Sequence, residues 1–263
     1  MQALHIIKIG GNVIDNSENL HRFLKDFTAL DGYKILIHGG GKVATQIGES
    51  MGIEAQMVDG RRITDIDTLR IVTMVYGGLI NKNIVAQLQR YGTNAIGLTG
   101  ADGDFIRAKK RPVKTIDYGF VGDLFEGSIN PGNVAKLLDG GFTPVFCALT
   151  HDGEGQMLNT NADTIASALA VALSALYETT LIYSFEKKGV LMDVNDDDSL
   201  IREIDPARYE KLKDEKIIHS GMLPKLDNAF SAISMGVKAV IIGHSDDLGQ
   251  LKNKQGFGTR LSK

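Results

Sequence analysis

Three places in the chain bring polar or cationic side chains together with bare backbone, and each suits phosphate. Lys8 sits in an apolar run, Leu4-His5-Ile6-Ile7-Lys8-Ile9, and Gly10-Gly11-Asn12 follow it. Glycines at a strand end let backbone N–H groups face an anion, and the lysine adds a point charge. A tight turn would also account for the two glycines. It would not account for a lysine inside an apolar strand, which is costly without a partner. The second place is His38-Gly39-Gly40-Gly41-Lys42, between a strand pattern and a helix pattern. Three consecutive glycines are expensive in chain entropy, and the helix start beyond them presents a positive dipole end. Residues 39–44 also fit the G-x-G-x-x-G/A dinucleotide pattern. They do not make a Walker A loop, because its first glycine would fall on Leu36 and Val43 stands where Ser or Thr is required. In the third place, leading from a hairpin pattern into a helix, Asn159, Asn161 and Asp163 recur at every second residue. Helix capping by Asn161 explains one of them. Further on, Lys225 lies about one turn into a helix opened by Ser220-Gly221-Met222-Leu223-Pro224; an exposed helix lysine is the plainer reading there.

These residues need a scaffold that gathers strand ends and helix starts. Runs at 4–9, 33–38, 94–98, 143–149, 180–185 and 237–242 have strand length and are mostly apolar throughout, as parallel strands covered on both faces should be. Helical patterns occupy 18–29, 42–51, 65–90, 133–139, 162–176, 206–213 and 222–235. The alternation predicts an α/β fold: an open, mainly parallel twisted sheet with helices on both faces. In such sheets ligands gather outside the carboxyl ends of the strands. Two polar stretches, 105–123 and 151–159, alternate like hairpins and suit β-hairpin lids. The segment 65–90 is unusual, with Thr64 as its expected N-cap, Asp67 in the first turn, Gly77-Gly78 inside, and apolar side chains on nearly every face from 71 to 80. It suits a helix buried between layers, or a subunit interface.

Bulk properties exclude several classes. The 263 residues suit one α/β domain with two lobes, about 1–176 and 177–263. Hydrophobic residues make up 43% and charged residues 23%, enough for a globular core. A net charge of −3 gives no call for nucleic acid or an anionic membrane. The single cysteine, Cys147, allows no internal disulfide and sits in an apolar strand, as a core residue would. With no signal peptide or membrane-spanning run in the pattern, the expected location is the cytoplasm. The run 193–198 begins like a calcium loop, but Asp198 and Ile204 occupy its required glycine and acid positions, so a solvated turn is expected. The six histidines have no paired metal spacing, and no metal site is expected in the protein itself.

Taken in order, the motifs are those of a known family. The chain resembles the acylglutamate branch of the amino-acid kinases almost end to end. The resemblance rests on Lys8-Ile9-Gly10-Gly11, His38-Gly39-Gly40-Gly41, Gly60-Arg61-Arg62-Ile63-Thr64, Gly119-Phe120-Val121-Gly122, Asn159-Thr160-Asn161-Ala162-Asp163, Gly221-Met222-Leu223-Pro224-Lys225 and Gly256-Phe257-Gly258-Thr259. Each is modest alone; their order in one chain is specific. The resemblance implies phosphoryl transfer from ATP, with magnesium carried on the nucleotide, to the side-chain carboxylate of an N-acyl-L-glutamate in arginine biosynthesis. It implies that Lys8 and Lys225 stabilise the transferring group and that Asp163 holds both lysines. Gly40 and Gly41 would bind the acceptor carboxylate through N–H groups, Arg62 its α-carboxylate, and Asn159 the acylated portion. Gly10 and Gly11 would lie along the phosphate path. The nucleotide would rest near Glu186, Lys187, Lys188, Gly189, Val190 and Leu191, and near Ile217, Ile218 and His219.

Two departures from the family pattern matter. Glu186-Lys187-Lys188-Gly189 replaces an Asp-Val-x-Gly type segment. Arg61 stands beside Arg62 where an uncharged residue is common; it suits a solvent-facing side chain or a second cation for an acyl group with its own carboxylate, as in N-succinyl-L-glutamate. With the first strand starting at Leu4, no N-terminal helix of the kind found in arginine-inhibited hexamers is expected. The expectation is a homodimer through the helix 65–90, little inhibited by arginine. A nicotinamide-dependent dehydrogenase, from the 39–44 pattern, and a catalytically silent amino-acid sensor are the competing readings.

Overall fold

The computed structural model describes residues 1–263 apart from Asp59, Lys216, His219, Ser220, Gly221, Asn253, Lys254 and Gln255. In chain order the strands are β1 (Ala3–Ile9), β2 (Tyr33–His38), β3 (Met57–Val58), β4 (Arg61–Arg62), β5 (Ala95–Leu98), β6 (Lys109–Lys110) and β7 (Gly122–Asp123). They continue as β8 (Thr143–Cys147), β9 (Leu149–His151), β10 (Met157–Asn159), β11 (Glu178–Phe185), β12 (Glu203–Ile204), β13 (Ala239–His244) and β14 (Thr259–Leu261). The α-helices are α1 (Gly11–Ile14), α2 (Ser17–Ala29), α3 (Gly41–Ser50), α4 (Ile66–Val72), α5 (Asn81–Arg90), α6 (Pro131–Asp139), α7 (Ala162–Leu173), α8 (Pro206–Asp214) and α9 (Leu223–Ser234).

The chain folds as two compact units, Met1–Ile35 with Leu169–Lys263, and Leu36–Ala168. The first 35 residues group with the C-terminal part because β1 pairs in parallel with β11, from Ala3↔Glu178 to Ile9↔Ser184. In this first unit β11 also pairs in parallel with β13, and β14 closes on β13 antiparallel and on β12 parallel. In the second unit β8 lies between β2 and β5, parallel to both. The mainly parallel α/β fold expected from the sequence is therefore the fold observed. Its strands are apolar for the expected reason: Leu4, Ile6, Ile7 and Ile9 of β1 and Ile35, Leu36 and Ile37 of β2 are fully buried.

Helix α2 shows how the flanking helices form. Asn16 accepts hydrogen bonds from the N–H groups of Glu18 and Asn19 and so caps the start. Leu20, Phe23, Leu24 and Phe27, spaced i, i+3, i+4, i+7, form the buried stripe.

Both expected hairpins are present as β6–β7 and β9–β10. The expected strand 143–149 ends instead at Cys147. Ala148 turns the chain, its carbonyl accepting from Thr160 N–H, and Leu149 begins the second hairpin. A third hairpin, β3–β4, carries Arg61 and Arg62 and was too short to show a periodic pattern.

The segment 65–90 is one helical rod whose middle, Thr73–Ile80, is a π-helix. Its cap is Asp65, which accepts from Thr68 N–H at 2.8 Å, not Thr64. Of the two readings of its apolar surface, burial between layers does not hold throughout: Ile66, Met74 and Leu79 are 47%, 52% and 47% exposed, and Gly78 faces open space.

Short C-terminal strand β14 acts as a clamp. Thr259 is fully buried; its hydroxyl donates to the Ile201 carbonyl at 2.6 Å and accepts from Val190 N–H at 2.8 Å. Gly258 has φ +63°, and a Cβ there would lie 2.1 Å from the Ile242 carbonyl oxygen. The motif 256–259 thus fixes the loop after β11. Thr259→Val keeps the shape but leaves one buried donor and one buried acceptor unpaired. It should lower unfolding free energy by about 2–4 kcal/mol in urea denaturation, and a value near zero would contradict the clamp.

Candidate active site

In the second unit a cavity of about 480 Å³ opens at the ends of β2 and β10. Gly39, Gly40 and Gly41 form one wall, between β2 and α3. Gly40 has φ +146°, and a Cβ there would lie 2.2 Å from Ile80 Cδ1 and 3.2 Å from Tyr76 Cδ1. Any other residue would collide with the π-helical turn, so the backbone stays bare where α3 begins. The N-terminal N–H groups of that ten-residue helix lack intrahelical partners and suit an anion.

Arg62 enters from the β3–β4 hairpin. Its Nη2 donates to the Gly41 carbonyl at 2.8 Å and to Thr45 Oγ1 at 2.7 Å, which pins the guanidinium beside the start of α3. Asn159, on β10, donates from Nδ2 to Thr64 Oγ1 at 3.0 Å. Thr64 is fully buried and donates in turn to the Arg62 carbonyl at 3.2 Å. Its own N–H and C=O pair with Tyr118 and Phe120, and Asn159 N–H donates to the Phe120 carbonyl. The motifs at 60–64, 119–122 and 159–163 are therefore one hydrogen-bonded structure. Asn161 accepts from Thr164 N–H at 3.0 Å, the capping role expected of it, and Asp163 lies half-buried in the first turn of α7.

Behind the glycines lies His38, fully buried. Its Nδ1 meets the Gly39 carbonyl at 2.8 Å and its Nε2 meets Asn81 Nδ2 at 3.1 Å. Since the carbonyl can only accept and the amide nitrogen only donate, the imidazole is the neutral Nδ1–H form. Burial holds its pKa down at about 4. Asn81, also fully buried, donates to the Val145 carbonyl at 2.9 Å. Cys147 is buried as expected, and burial pushes its thiol up to about 12.

The first unit holds a smaller cavity of about 150 Å³, lined by Gly10, Gly11, Phe185, Glu186 and His244 among others. Gly10 N–H donates to the Ser184 carbonyl at 3.0 Å, which ties the glycines to the end of β11. Lys8 is half-buried, in register with Tyr183. Lys225, on α9, places its Nζ 4.5 Å from the centroid of the Phe185 ring, within cation–π range. The structure thus links Lys225, Phe185, Gly10 and Gly11 within one unit.

The expected nucleotide residues have mixed placements. Glu186 lines the small cavity. Lys187 is exposed, and the half-buried Lys188 pairs with Asp198 at 3.7 Å. Gly189 packs against Thr259, Val190 is buried, and Leu191 bridges Leu200. Ile217 N–H bonds the Leu212 carbonyl and Ile218 is buried, while His219 lies outside the described residues. The acidic run 193–198 forms exposed Asx turns at Asp193 and Asp196, the solvated turn expected. Among the described residues no cluster of three His, Cys, Asp or Glu side chains could hold a metal ion. No helix among them is long and apolar enough to cross a membrane.

Sequence reasoning assigned no site role to His38, Thr64, Tyr76, Asn81 or Phe185. Asn81 alone had a usable signal, an amide between apolar positions of a helix.

Glycine-bare strand ends, a helix start and a pinned arginine define a kinase-like α/β enzyme for a small anionic acceptor. The chain matches the Amino acid kinase family over residues 3–244 and belongs to that family. It is 59% identical to a protein named acetylglutamate kinase from Cytophaga hutchinsonii, over 99% of each chain. It is 53% identical to one of the same name from Phocaeicola vulgatus, over 100% of this chain and 99% of the other. Its fold superposes on N-acetylglutamate synthase from Neisseria gonorrhoeae with TM-score 0.81 at 20% identity, covering 100% of this chain and 59% of that one. The dehydrogenase reading of 39–44 is thereby set aside: these glycines line the cavity that holds Arg62 and Asn159.

Because the folded state holds His38 neutral, the unfolded chain takes up that proton first as pH falls. The contribution is complete above pH 6.5 and lost toward pH 4. Between pH 7.5 and 5 the wild type should lose about 2 kcal/mol more stability than His38→Gln. Equal losses in paired denaturation curves would show that His38 is not held neutral.

Proposed function

We propose that this chain transfers the γ-phosphoryl group of ATP to the side-chain carboxylate of an N-acyl-L-glutamate, N-acetyl-L-glutamate first, as a cytoplasmic step of arginine biosynthesis. A carboxylate oxygen attacks the γ-phosphorus, the bond to the bridging oxygen of ADP breaks, and an acyl phosphate and ADP result. The acceptor's side-chain pKa is about 4.3, so it is already ionised and no general base is required. The protein's task is positioning and positive charge for a loose anionic transition state.

The observation that carries this reading is the cavity in which Arg62, the bare start of α3 and Asn159 converge. Arg62 takes the α-carboxylate, Gly40 and Gly41 the reacting carboxylate through N–H groups, and Asn159 the acylated amino end. Lys8 and Lys225 supply charge to the transferring phosphoryl group, Gly10 and Gly11 face its oxygens, and Asp163 offsets the lysines' mutual repulsion. ATP brings its magnesium with it and lies along residues 186–191 and 217–218. The β-hairpins act as lids.

The homodimer contact is assigned to the rod 65–90, on which Ile66, Met74 and Leu79 leave apolar side chains exposed.

The direct test is hydroxamate trapping of acyl phosphate with ATP–magnesium and N-acetyl-L-glutamate. A fold that binds the acylglutamate and forms no hydroxamate would be a sensor instead. Lys8→Ala and Lys225→Ala should each lower kcat by about a hundredfold or more, with acceptor KM changed only a few fold. Near-normal kcat in either would remove that lysine from the chemistry. Met74→Asp with Leu79→Asp should convert a dimer to a monomer in light scattering, and an unchanged mass would place the contact elsewhere.

A further inference from the structure

Part of the basic lining has no task in binding an acetyl group. A further cavity of about 450 Å³ shares Arg61, Arg111 and Asp123 with the acceptor cavity, and Lys114 and Tyr118 also line it. Arg62 is turned toward Gly41 and Thr45 and lines the acceptor cavity, while the neighbouring Arg61 lines both spaces. Arg111 is held in place: its Nε lies 3.0 and 3.1 Å from the two Asp123 oxygens, its guanidinium 5.1 Å from the Tyr118 ring centroid, and it is 18% exposed. Asp123 offsets one of the three cations in this wall, which leaves two positive charges in excess. A neutral methyl group gives those charges nothing to bind. A carboxylate at the far end of a longer acyl chain would.

We infer that Arg61 and the Arg111 wall form a subsite for a second carboxylate on the acyl group. A glutamate acylated by a dicarboxylic acid, N-succinyl-L-glutamate in the simplest case, is then an acceptor as well as N-acetyl-L-glutamate. The inference rests on the acylglutamate kinase reading and deepens it. It needs no change in the reaction, because the same side-chain carboxylate attacks ATP and the acyl end only binds. Its logic is that of selectivity by a paired polar group: an acceptor that lacks the carboxylate leaves cations in the wall unmatched.

The test compares kcat/KM for N-acetyl-, N-succinyl- and N-butanoyl-L-glutamate with ATP–magnesium. The butanoyl compound has the succinyl chain length with a methyl group in place of the carboxylate. Succinyl should exceed butanoyl by about tenfold or more, as expected for one charge-assisted contact. Arg61→Ala should reduce the succinyl-to-acetyl ratio by a similar factor, and Arg61→Lys should restore part of it. Acetyl turnover with succinyl no better than butanoyl would overturn the subsite alone, as would an Arg61→Ala ratio equal to wild type. No turnover of any of the three would overturn the kinase reading and the subsite with it.

Discussion

One buried chain of hydrogen bonds backs the glycine-lined cavity: Gly39 carbonyl, His38 ring, Asn81 amide, Val145 carbonyl. It joins the end of β2, the start of α5 and the middle of β8. Each group has one permitted role, because the imidazole has a single proton to give and the carbonyls can only accept. A charged imidazole would set a second N–H against the amide and lose the contact. The glycine loop therefore sits on a neutral, fully satisfied polar core, which is rigid because breaking any link strands a buried group.

That rigidity explains the division of labour around the cavity. The π-helical turn brings Tyr76 and Ile80 so close to Gly40 that only bare backbone fits. Wide turns of this kind are rare and gather at functional sites. Thr64 ties Asn159 to the backbone of Arg62, so the residues proposed for the two ends of the acceptor do not move independently. In the other unit the 256–259 motif has a packing role. It works through Thr259, which fixes the loop 189–201 from behind.

Much of this was legible in the sequence, for physical reasons. Period and composition mark long elements well, so β2 and α2 emerged within a residue of their observed bounds. The run Gly39–Gly41 marks bare backbone, because entropy makes runs of glycine expensive without a purpose, and a Cβ at Gly40 would collide with Ile80. What stayed hidden depends on contacts remote in sequence. Thr64 preceded a helix and so looked like a cap, while Asp65 one residue later takes that role and frees Thr64 for Asn159. The apolar surround of Thr73–Ile80 suggested burial, but a periodic pattern cannot show which face a single chain leaves open. The β3–β4 hairpin was invisible because two-residue strands have no period.

Phe185 occupies a position where a carboxylate would have been the ordinary way to hold an ammonium. An aromatic ring attracts Lys225 through its quadrupole yet brings no net charge. The ring thus holds the ammonium without itself supplying a counter-charge. A carboxylate in that place would have gripped harder and cancelled the charge it held.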